Sequence, residues 1–367
     1  MQQTPERSLN ALREEFAGFA REQFRGSSPL YERLALAIAG DPELLGLAVE
    51  ARPGQPAPLL FLAAVHFLLL SGVPHALAAY YPSVSGTAHR EDDPFPAFRA
   101  FCHEHREDIR PLLATRLGQT NEVRRCACLL PAFGLVARRA GDRPLTVVEI
   151  GASAGLNLWW DRYGYDYGDG RRYGDLRAGV QLTCDLRGDR RPIIPAVFPT
   201  VADRVGVDLN PIDARDAEAT RWLRALIWPE HAERADLLQR ALEMVRQNPP
   251  HLLAGDILDV LPPILAAVPR DTTLCLLHTF ALYEFPEDAR EQVLALLADE
   301  ARRRAFFRVS MEWRGAENPL LELVSYANER QTEERLAWCD THGAWLHWLG
   351  SAAGDGVSGA TSPRGPR

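Results

Sequence analysis

The chain has 367 residues, of which 46% are hydrophobic and 25% charged, values typical of a globular protein with one large domain or two. Its net charge is −8, so neither a nucleic-acid backbone nor an anionic membrane is an expected partner. All 41 basic residues are arginine, which excludes chemistry that needs lysine, such as a pyridoxal Schiff base or a P-loop phosphate site.

The first 140 residues are predicted to form an all-helical domain. Leu9, Leu12, Phe16 and Phe19 recur at spacings of three and four, which gives one apolar helix face. The segment 59–70 is strongly apolar but too short to span a bilayer, so we interpret it as a core helix. The polar amino terminus indicates no signal peptide. The segment 141–144, which contains glycine and proline, is the predicted hinge to a second domain.

From residue 141 to about 350 the pattern alternates between strands and helices, which predicts an α/β domain with a mostly parallel sheet. The predicted strands are 146–150, 204–208, 251–256, 273–278 and 306–311. Helical structure is predicted over 214–246, with a break at Trp228-Pro229, and over 288–304. Late strands at 320–326, 335–340 and 344–349 include an antiparallel hairpin that turns at 341–343. Residues from about 161 to 203 are predicted to be an inserted hairpin region. The tail, 351–367, is rich in Gly, Ser and Pro, and is predicted to be disordered.

The most informative stretch is VVEIGASAGLNL, residues 147–158. A strand that ends near an acidic residue is followed by a turn of small residues and the start of a helix. Gly151 and Gly155 allow a sharp bend and the close approach of a ligand, and amides at the helix start can face an electron-rich group. The same turn also spells G-x-S-x-G around Ser153, which is the pattern of a hydrolase nucleophile.

Acidic residues lie at the carboxyl ends of three successive predicted strands: Glu149, Asp208 and Asp256. In an open parallel sheet these ends share one edge, where ligands bind. Asp208 is placed to bind both ribose hydroxyls, Asp256 an adenine amine, and Glu149 an amino-acid ammonium. A ligand with adenosine at one end and an amino acid at the other fits this set, which predicts S-adenosylmethionine as the cofactor.

The runs EIGASAG, GVDLNP and LLAGDILDVLP resemble the first three motifs of class I S-adenosylmethionine-dependent methyltransferases. This resemblance implies a Rossmann-like methyltransferase-type sheet. Nearly the whole chain also resembles a bacterial family known as domain of unknown function 2332. That match is carried by QTNEV at 119–123, the loop 149–157, VDLNP at 207–211, WP at 228–229, and HG at 342–343 with Trp345 and Trp348.

The methyltransferase motifs depart from the usual pattern in two ways. Ser153 replaces the middle glycine, although a small residue still allows close approach. Glu149 and Asp208 are 59 positions apart, where about 20 is usual between the loop and the ribose acid. The inserted segment must therefore leave the sheet and return to it. Otherwise Asp161 or Asp166 would be the local substitute.

The predicted cofactor site consists of eight residues of the three motifs and one that follows the turn: Glu149, Gly151, Ser153, Gly155, Asn157, Asp208, Leu209, Asp256 and Ile257. His278 ends the fourth strand and is the candidate base, with Tyr283 on the next loop and Glu312 past the fifth strand. Asn121 and Glu122, near the hinge, are candidates to bind the substrate from the helical domain, which would act as a lid. No metal site or disulfide is predicted, because no two of the six cysteines form C-x-x-C.

The pattern is compatible with three functions and disfavours a fourth. The first is methyl transfer to an unidentified small molecule in the cytoplasm. The second is binding of an adenosine ligand without catalysis. The third is serine hydrolysis by Ser153 with His278, His342 or His347 as base, although the residues before the turn are predicted to be helical and contain no oxyanion segment. A nicotinamide reductase is disfavoured, since the loop lacks G-x-G-x-x-G. The sequence leaves the oligomeric state open.

Overall fold

A computed structural model of the chain describes residues 8–86, 89–141, 143–315, 317–327 and 330–350. The chain divides into two compact units. The first comprises Met1–Glu122 with Ile212–Pro249, and the second Val123–Pro211 with Pro250–Arg367. Among the described residues, no helix has both the length and the apolarity needed to cross a bilayer. The predicted disordered tail, 351–367, lies outside the described residues.

The helices and strands that the structure describes follow one another along both units. The helices are α1 (Leu9–Phe19), α2 (Pro29–Ala39), α3 (Pro42–Ala48), α4 (Ala57–Leu70), α5 (Pro82–Ser85), α6 (Phe95–Glu104), α7 (Arg106–Thr115), α8 (Arg125–Ala140), α9 (Ala217–Ala225), α10 (Ala232–Gln247), α11 (Ile257–Ala267) and α12 (Glu287–Ala301). The strands are β1 (Leu145–Ile150), β2 (Gly164–Asp166), β3 (Arg172–Gly174), β4 (Gln181–Thr183), β5 (Asp185–Arg187), β6 (Val201–Asp208), β7 (His251–Ala254), β8 (Thr273–Thr279), β9 (Phe306–Glu312), β10 (Leu320–Ala327), β11 (Arg330–Cys339) and β12 (Trp345–Trp348).

The first unit is helical and contains α1–α7, α9 and α10. Local signals set its helix starts: the Ser28 hydroxyl accepts a hydrogen bond from the amide of Tyr31 at the start of α2, and Asp41 caps α3 in the same way. Helix α4 is apolar on all sides and almost entirely buried, which is expected of a central core helix. The predicted helix around 9–19 and the predicted core helix around 59–70 are therefore confirmed.

The second unit is built on a nine-stranded sheet in the order β5-β12-β11-β10-β9-β8-β1-β6-β7. The strands β7, β6, β1, β8 and β9 are parallel to their neighbours, and β10, β11 and β12 follow in antiparallel pairs. One sheet face packs against α11 and α12 in a continuous apolar core, while α8 contacts β9 and β10. The predicted mixed α/β architecture with a mostly parallel sheet is thus confirmed.

The inserted segment leaves the main sheet and returns to it. Strands β3, β2 and β4 form a separate small sheet, with an antiparallel β2–β3 hairpin and a parallel β2–β4 pair. Strand β5 then pairs with β12 at the outer edge of the large sheet. The chain re-enters the middle of that sheet at β6, which pairs in parallel with β1. Asp208 therefore ends the strand next to β1, as the resemblance requires despite the long insertion.

The two compact units divide the chain differently from the predicted domains, 1–140 and 141–350. Helix α8 belongs to the second unit, because it packs on β9 and β10. Residues 212–249 belong to the first unit, because α9 joins the helical core: Trp222 is buried there, and its indole N–H donates to the carbonyl of Leu117 at 2.8 Å. The apolar residues of both helices predict burial, but they do not show which core a helix will join.

Candidate functional site

Three acidic residues lie at the carboxyl edge of neighbouring parallel strands in the second unit. Glu149 is the second-last residue of β1, Asp208 is the last residue of β6, and Asp256 follows β7. From β1 the chain passes to β6 on one side, and later to β8 on the other. The carboxyl ends of β1 and β8 therefore flank a topological switch point, which is where open α/β sheets bind their ligands.

The turn after β1 has a backbone that favours glycine. Gly151 has φ +73°, and an added Cβ would lie 2.7 Å from the Cβ of Ala281. Gly155 has φ +71°, and its added Cβ would lie 2.6 Å from Cγ of Pro250. Both positions thus combine a left-handed backbone with close packing, so a larger residue at either would displace the turn.

Ser153 has φ +51°, in the left-handed region that non-glycine residues rarely adopt. Its amide donates to Oδ2 of Asp208 at 2.8 Å, and Oδ1 of that carboxylate accepts the amide of Asn210 at 2.8 Å. Asp208 therefore fixes the turn from the neighbouring strand. Leu209, which was predicted to contact the cofactor, is 68% exposed.

Glu149 is completely buried at the base of this turn. Its Oε1 accepts a hydrogen bond from Nδ2 of Asn157 at 2.9 Å, whereas Oε2 has no hydrogen-bond partner among the described residues. Burial raises the pKa of Glu149 to about 8; the Asn157 hydrogen bond lowers it, Asp208 raises it, and Arg125 lowers it. At neutral pH the side chain is mostly protonated, and a nearby cation would ionise it.

Asn157 lies in the short 3-10 helix Leu156–Arg162 that follows the turn. Its Nδ2 also lies 3.5 Å from Oγ1 of Thr279 on β8, and its Oδ1 accepts from the thiol of Cys126 at 3.4 Å. The amide thus connects β1, β8 and α8 below the turn. This geometry fixes the orientation of the Glu149 carboxyl group and leaves Oε2 for another donor.

The third predicted motif has clear local roles. Asp256 is exposed and caps α11, because its Oδ1 accepts the amide of Leu258 at 2.9 Å. Ile257 is buried in the apolar core beneath the helix. Contacts with a cofactor at these two positions stay a prediction.

His278 lies on the other face of the sheet from Glu149. In the β1–β8 register Ile150 pairs with His278, and Glu149 pairs with Leu277. Because successive strand residues face opposite sides, the imidazole points into the layer of α11 and α12, where it is 1% exposed. The structure therefore does not bring His278 and Glu149 together on one face.

His278 and Glu312 form a buried pair that holds the turn after β8. Nδ1 of the imidazole lies 2.5 Å from Oε1 of Glu312, and this carboxylate also accepts the amides of Ala281 and Leu282 at 3.0 and 3.1 Å. Burial raises the pKa of Glu312, but the bonds from His278 and the amides outweigh it, so the pKa lies below the ordinary value. Burial lowers the pKa of His278 against the opposing effect of Glu312. Ala281 packs on Gly151, so the pair positions a wall of the glycine turn.

Tyr283 is on that same turn and is 42% exposed. Its hydroxyl donates to Oε1 of Glu284 at 3.1 Å. Burial, followed by the charge of Glu284, raises its pKa to about 12. The phenol is therefore protonated at neutral pH, and it could donate a hydrogen bond to a ligand only in exchange for the one to Glu284.

Asn121 and Glu122, which were predicted to bind the substrate, end the first segment of the helical unit. Both are buried, and Oε2 of Glu122 accepts a hydrogen bond from Nε of Arg234 on α10 at 2.7 Å. Glu122 therefore has a structural partner within its own unit. A substrate contact of either residue stays a prediction.

The hydrolase alternative requires a base beside Ser153. The hydroxyl of Ser153 is buried and has no hydrogen-bond partner within the described part of the chain, so none of the three candidate histidines is bonded to it. His347 lies on β12, five strand spacings from β1, or about 24 Å at the usual interstrand distance. His342 follows β11, and its amide donates to Oδ1 of Asp340 at 2.9 Å. Among the residues that the structure describes, no base therefore contacts the Ser153 hydroxyl.

Two residues beside the turn were not predicted from the sequence. Arg125 begins α8 and is 6% exposed, and its guanidinium carbon lies 4.2 Å from the centre of the Phe280 ring. Phe280 has φ +52°. Neither position carries a sequence signal: one arginine among 41 does not stand out, and a positive φ cannot be recognised at a phenylalanine.

The comparisons with known proteins identify a family. A comparison with curated proteins finds no match. A family model described as "Uncharacterized protein conserved in bacteria (DUF2332)" matches residues 13–348, which is most of the chain and covers both compact units. The match includes the glycine turn and all three acidic strand ends, and on this evidence the chain belongs to the DUF2332 family of bacterial proteins.

Proposed function

We propose that this protein binds S-adenosylmethionine at the glycine turn and transfers its methyl group to a small-molecule acceptor. The order of the parallel strands supports the Rossmann-like assignment: β7, β6, β1, β8 and β9 are the third, second, first, fourth and fifth of these strands in the chain. The same 3-2-1-4-5 order occurs in dinucleotide-binding sheets, whose ligands lie beside the first strand.

The single observation that carries the proposal is the carboxyl group of Glu149. A fully buried oxygen without a partner in the described residues is costly, and here it lies next to the switch point. An ammonium group at Oε2 would supply the missing donor and the missing opposite charge. Other buried acids in this unit, such as Glu312 and Glu322, already bind a cation or amides.

The rest of the turn is compatible with the adenosyl part of the ligand. Gly151 and Gly155 have no Cβ, so a ligand can approach the backbone closely. Asp208 ends the strand beside β1, where an acidic residue can accept hydrogen bonds from ribose hydroxyls. Asp256 is exposed and caps α11. S-adenosylmethionine would supply an electrophilic methyl group, and the chain would supply binding, orientation and exclusion of water.

On this proposal His278 and Glu312 act by positioning the turn 281–283, since both are buried on the opposite face from Glu149. Tyr283 is the predicted catalytic residue whose polar group is exposed, and its raised pKa suits a hydrogen-bond donor better than a base. An acceptor that loses its proton readily near neutral pH, such as a thiol, therefore fits this site best.

Calorimetry with S-adenosylmethionine, S-adenosylhomocysteine, NAD and ATP on one preparation tests the proposal. We expect Kd values of about micromolar order for the first two. Glu149→Gln keeps the shape of the side chain and removes its ability to ionise. It should therefore weaken the binding of both ligands by at least about tenfold, the value of one charge-assisted hydrogen bond. Glu300→Gln is the matched control, because Glu300 on α12 is also buried in this unit but forms ion pairs with Arg303 and Arg304, which follow the helix.

Binding of the ligand cation should also release a proton, because the pKa of Glu149 is about 8 and an ammonium beside it lowers that value. The observed enthalpy at neutral pH should therefore depend on the ionisation enthalpy of the buffer in wild type, and not in Glu149→Gln. If S-adenosylmethionine does not bind, or binds equally to wild type and Glu149→Gln, the proposal fails.

One observation favours a second candidate. The positive φ of Ser153 is the strained backbone that a nucleophile elbow has. A serine hydrolase would be labelled by a fluorophosphonate probe in wild type and not in Ser153→Ala, whereas the methyltransferase proposal expects no labelling in either. Binding of S-adenosylmethionine without turnover over a broad panel of acceptors would indicate an adenosine-binding protein without catalysis.

A further inference from the structure

Arg125 is held in one orientation beside the candidate site. It is the first residue of α8 and is 6% exposed. Its Nε donates to the carbonyl of Thr341 at 3.0 Å, and its guanidinium lies over the ring of Phe280 at 4.2 Å. A hydrogen bond at one end and an aromatic face on one side fix the plane of the guanidinium.

Both supports of Arg125 depend on unusual backbone. Phe280 has φ +52°, and its amide donates to the carbonyl of Met311 at 3.0 Å. Gly343, two residues after Thr341, has φ +80°, and an added Cβ would lie 2.7 Å from the amide nitrogen of Arg125. Strained residues persist only where the surrounding structure holds them. Here one strained residue, Phe280, and one position that requires glycine, Gly343, lie on different loops beside the same arginine.

The charge of Arg125 acts on the groups around the glycine turn. It counteracts burial at Glu149 by lowering the pKa of that carboxyl. It also lowers the pKa of Tyr283 and of Glu284, in both cases against a larger raising effect of burial. Arg125 thus places a permanent positive charge close enough to act on the buried acid, in a chain that contains no lysine.

We infer that Arg125 and Glu149 together recognise a zwitterionic α-amino-acid group, with Oε2 of Glu149 accepting its ammonium and the Arg125 guanidinium binding its carboxylate. This inference rests on the proposed function and adds the ligand class: an adenosyl compound must carry both charges to bind tightly. A planar guanidinium held by Phe280 suits a carboxylate, which it can bind with two parallel hydrogen bonds. Adenosine ligands without the amino-acid carboxylate should therefore bind weakly.

Three ligands distinguish the contribution of the ammonium group to binding from that of the carboxylate. S-adenosylhomocysteine carries the ammonium and the carboxylate, its decarboxylated analogue S-adenosyl-3-thiopropylamine carries the ammonium alone, and 5′-methylthioadenosine carries neither. Calorimetric Kd values are measured for wild type, Arg125→Gln, Arg125→Lys and a matched control, Arg187→Gln. Arg187 is a suitable control because its guanidinium also lies 4.2 Å from an aromatic ring, that of Trp345, at the far edge of the same sheet.

We expect Arg125→Gln to weaken the binding of S-adenosylhomocysteine by about ten- to a hundredfold, the usual range for a charged hydrogen bond. The Kd values of the two carboxylate-free ligands should change by less than about threefold. Arg125→Lys should recover part of the lost affinity, and Arg187→Gln should behave as wild type. If Arg125→Gln does not fold, the ratio of the Kd values of the first two ligands in Arg125→Lys still tests the inference.

Equal weakening of all three ligands, or unchanged binding of S-adenosylhomocysteine, would overturn the role of Arg125 and leave the proposed function standing. If wild type binds none of the three ligands, the proposed function fails and the inference fails with it. The readout is binding and does not require a methyl acceptor.

Discussion

Replacing Glu149 by glutamine should remove a pH dependence from the stability of the second unit. The pKa of Glu149 is about 8 in the folded protein, against an ordinary value of 4.5. Between these values the unfolded chain binds fewer protons than the folded protein, so stability falls as the pH rises through this window. At about 1.36 kcal/mol per pKa unit, wild type should lose about 2.5 kcal/mol between about pH 5 and about pH 7 through this group.

Urea unfolding at about pH 5, 6 and 7 measures this effect through the difference between wild type and Glu149→Gln, which cancels the other titrating groups. Hydrogen-exchange mass spectrometry of peptides that contain β1 restricts the signal to the second unit. The variant should gain stability relative to wild type as the pH rises, because glutamine does not ionise in the buried site.

Glu312→Gln is the matched control for this experiment. The pKa of Glu312 lies below the ordinary value, since hydrogen bonds from His278 and the amides of the turn outweigh its burial. Its own contribution to stability is therefore present above the ordinary carboxyl pKa and is lost only towards acid. Because Glu312 also raises the pKa of His278, Glu312→Gln is made in a His278→Gln background, where it should change stability by a constant amount over this range. A constant difference for Glu149→Gln as well would refute the assignment of Glu149 as a buried, protonated acid.

Three further substitutions test separate parts of the structure. Gly151→Ala should destabilise the second unit by more than Gly168→Ala in thermal unfolding, because both have a positive φ but only the first would bring its Cβ within 2.7 Å of a neighbouring atom; equal losses would mean that strain alone matters. Glu122→Gln should cost about 3 kcal/mol by leaving the half-buried Arg234 without its carboxylate, and should raise hydrogen exchange in the first unit and not in the second. His278→Gln should weaken S-adenosylhomocysteine binding through the turn after β8 and leave the buffer-dependent proton release in place, whereas complete loss of that release would place the imidazole at the ligand.

Local patterns along the chain determined the element types. The three-and-four spacing that includes Leu12 and Phe16 encodes α1, and both residues are buried in the helical core. The apolar run 273–278 becomes β8, buried on both faces, because a central parallel strand has no polar side. Such periodicity depends on near neighbours only, so it can be recognised without the tertiary structure.

The sequence also determined the edge at which the acidic residues gather. Glu149, Asp208 and Asp256 each end or follow a strand of β-branched or apolar residues, and the carboxyl ends of parallel strands share one edge. That rule holds for any open parallel sheet, so it still applies although Glu149 and Asp208 are 59 positions apart in the chain. The large inserted segment changed the path between the strands and not their order.

Tertiary structure alone decided which side of the sheet each polar group occupies. Glu149 and His278 lie near the same edge, but the register that pairs Ile150 with His278 places their side chains on opposite faces, and register depends on the partner strand. It also decided that Arg125, 24 residues before Glu149 in the chain, lies near the glycine turn, and that residues 212–249 join the helical unit. These facts depend on contacts between distant segments, whose geometry is fixed only when the packed core forms.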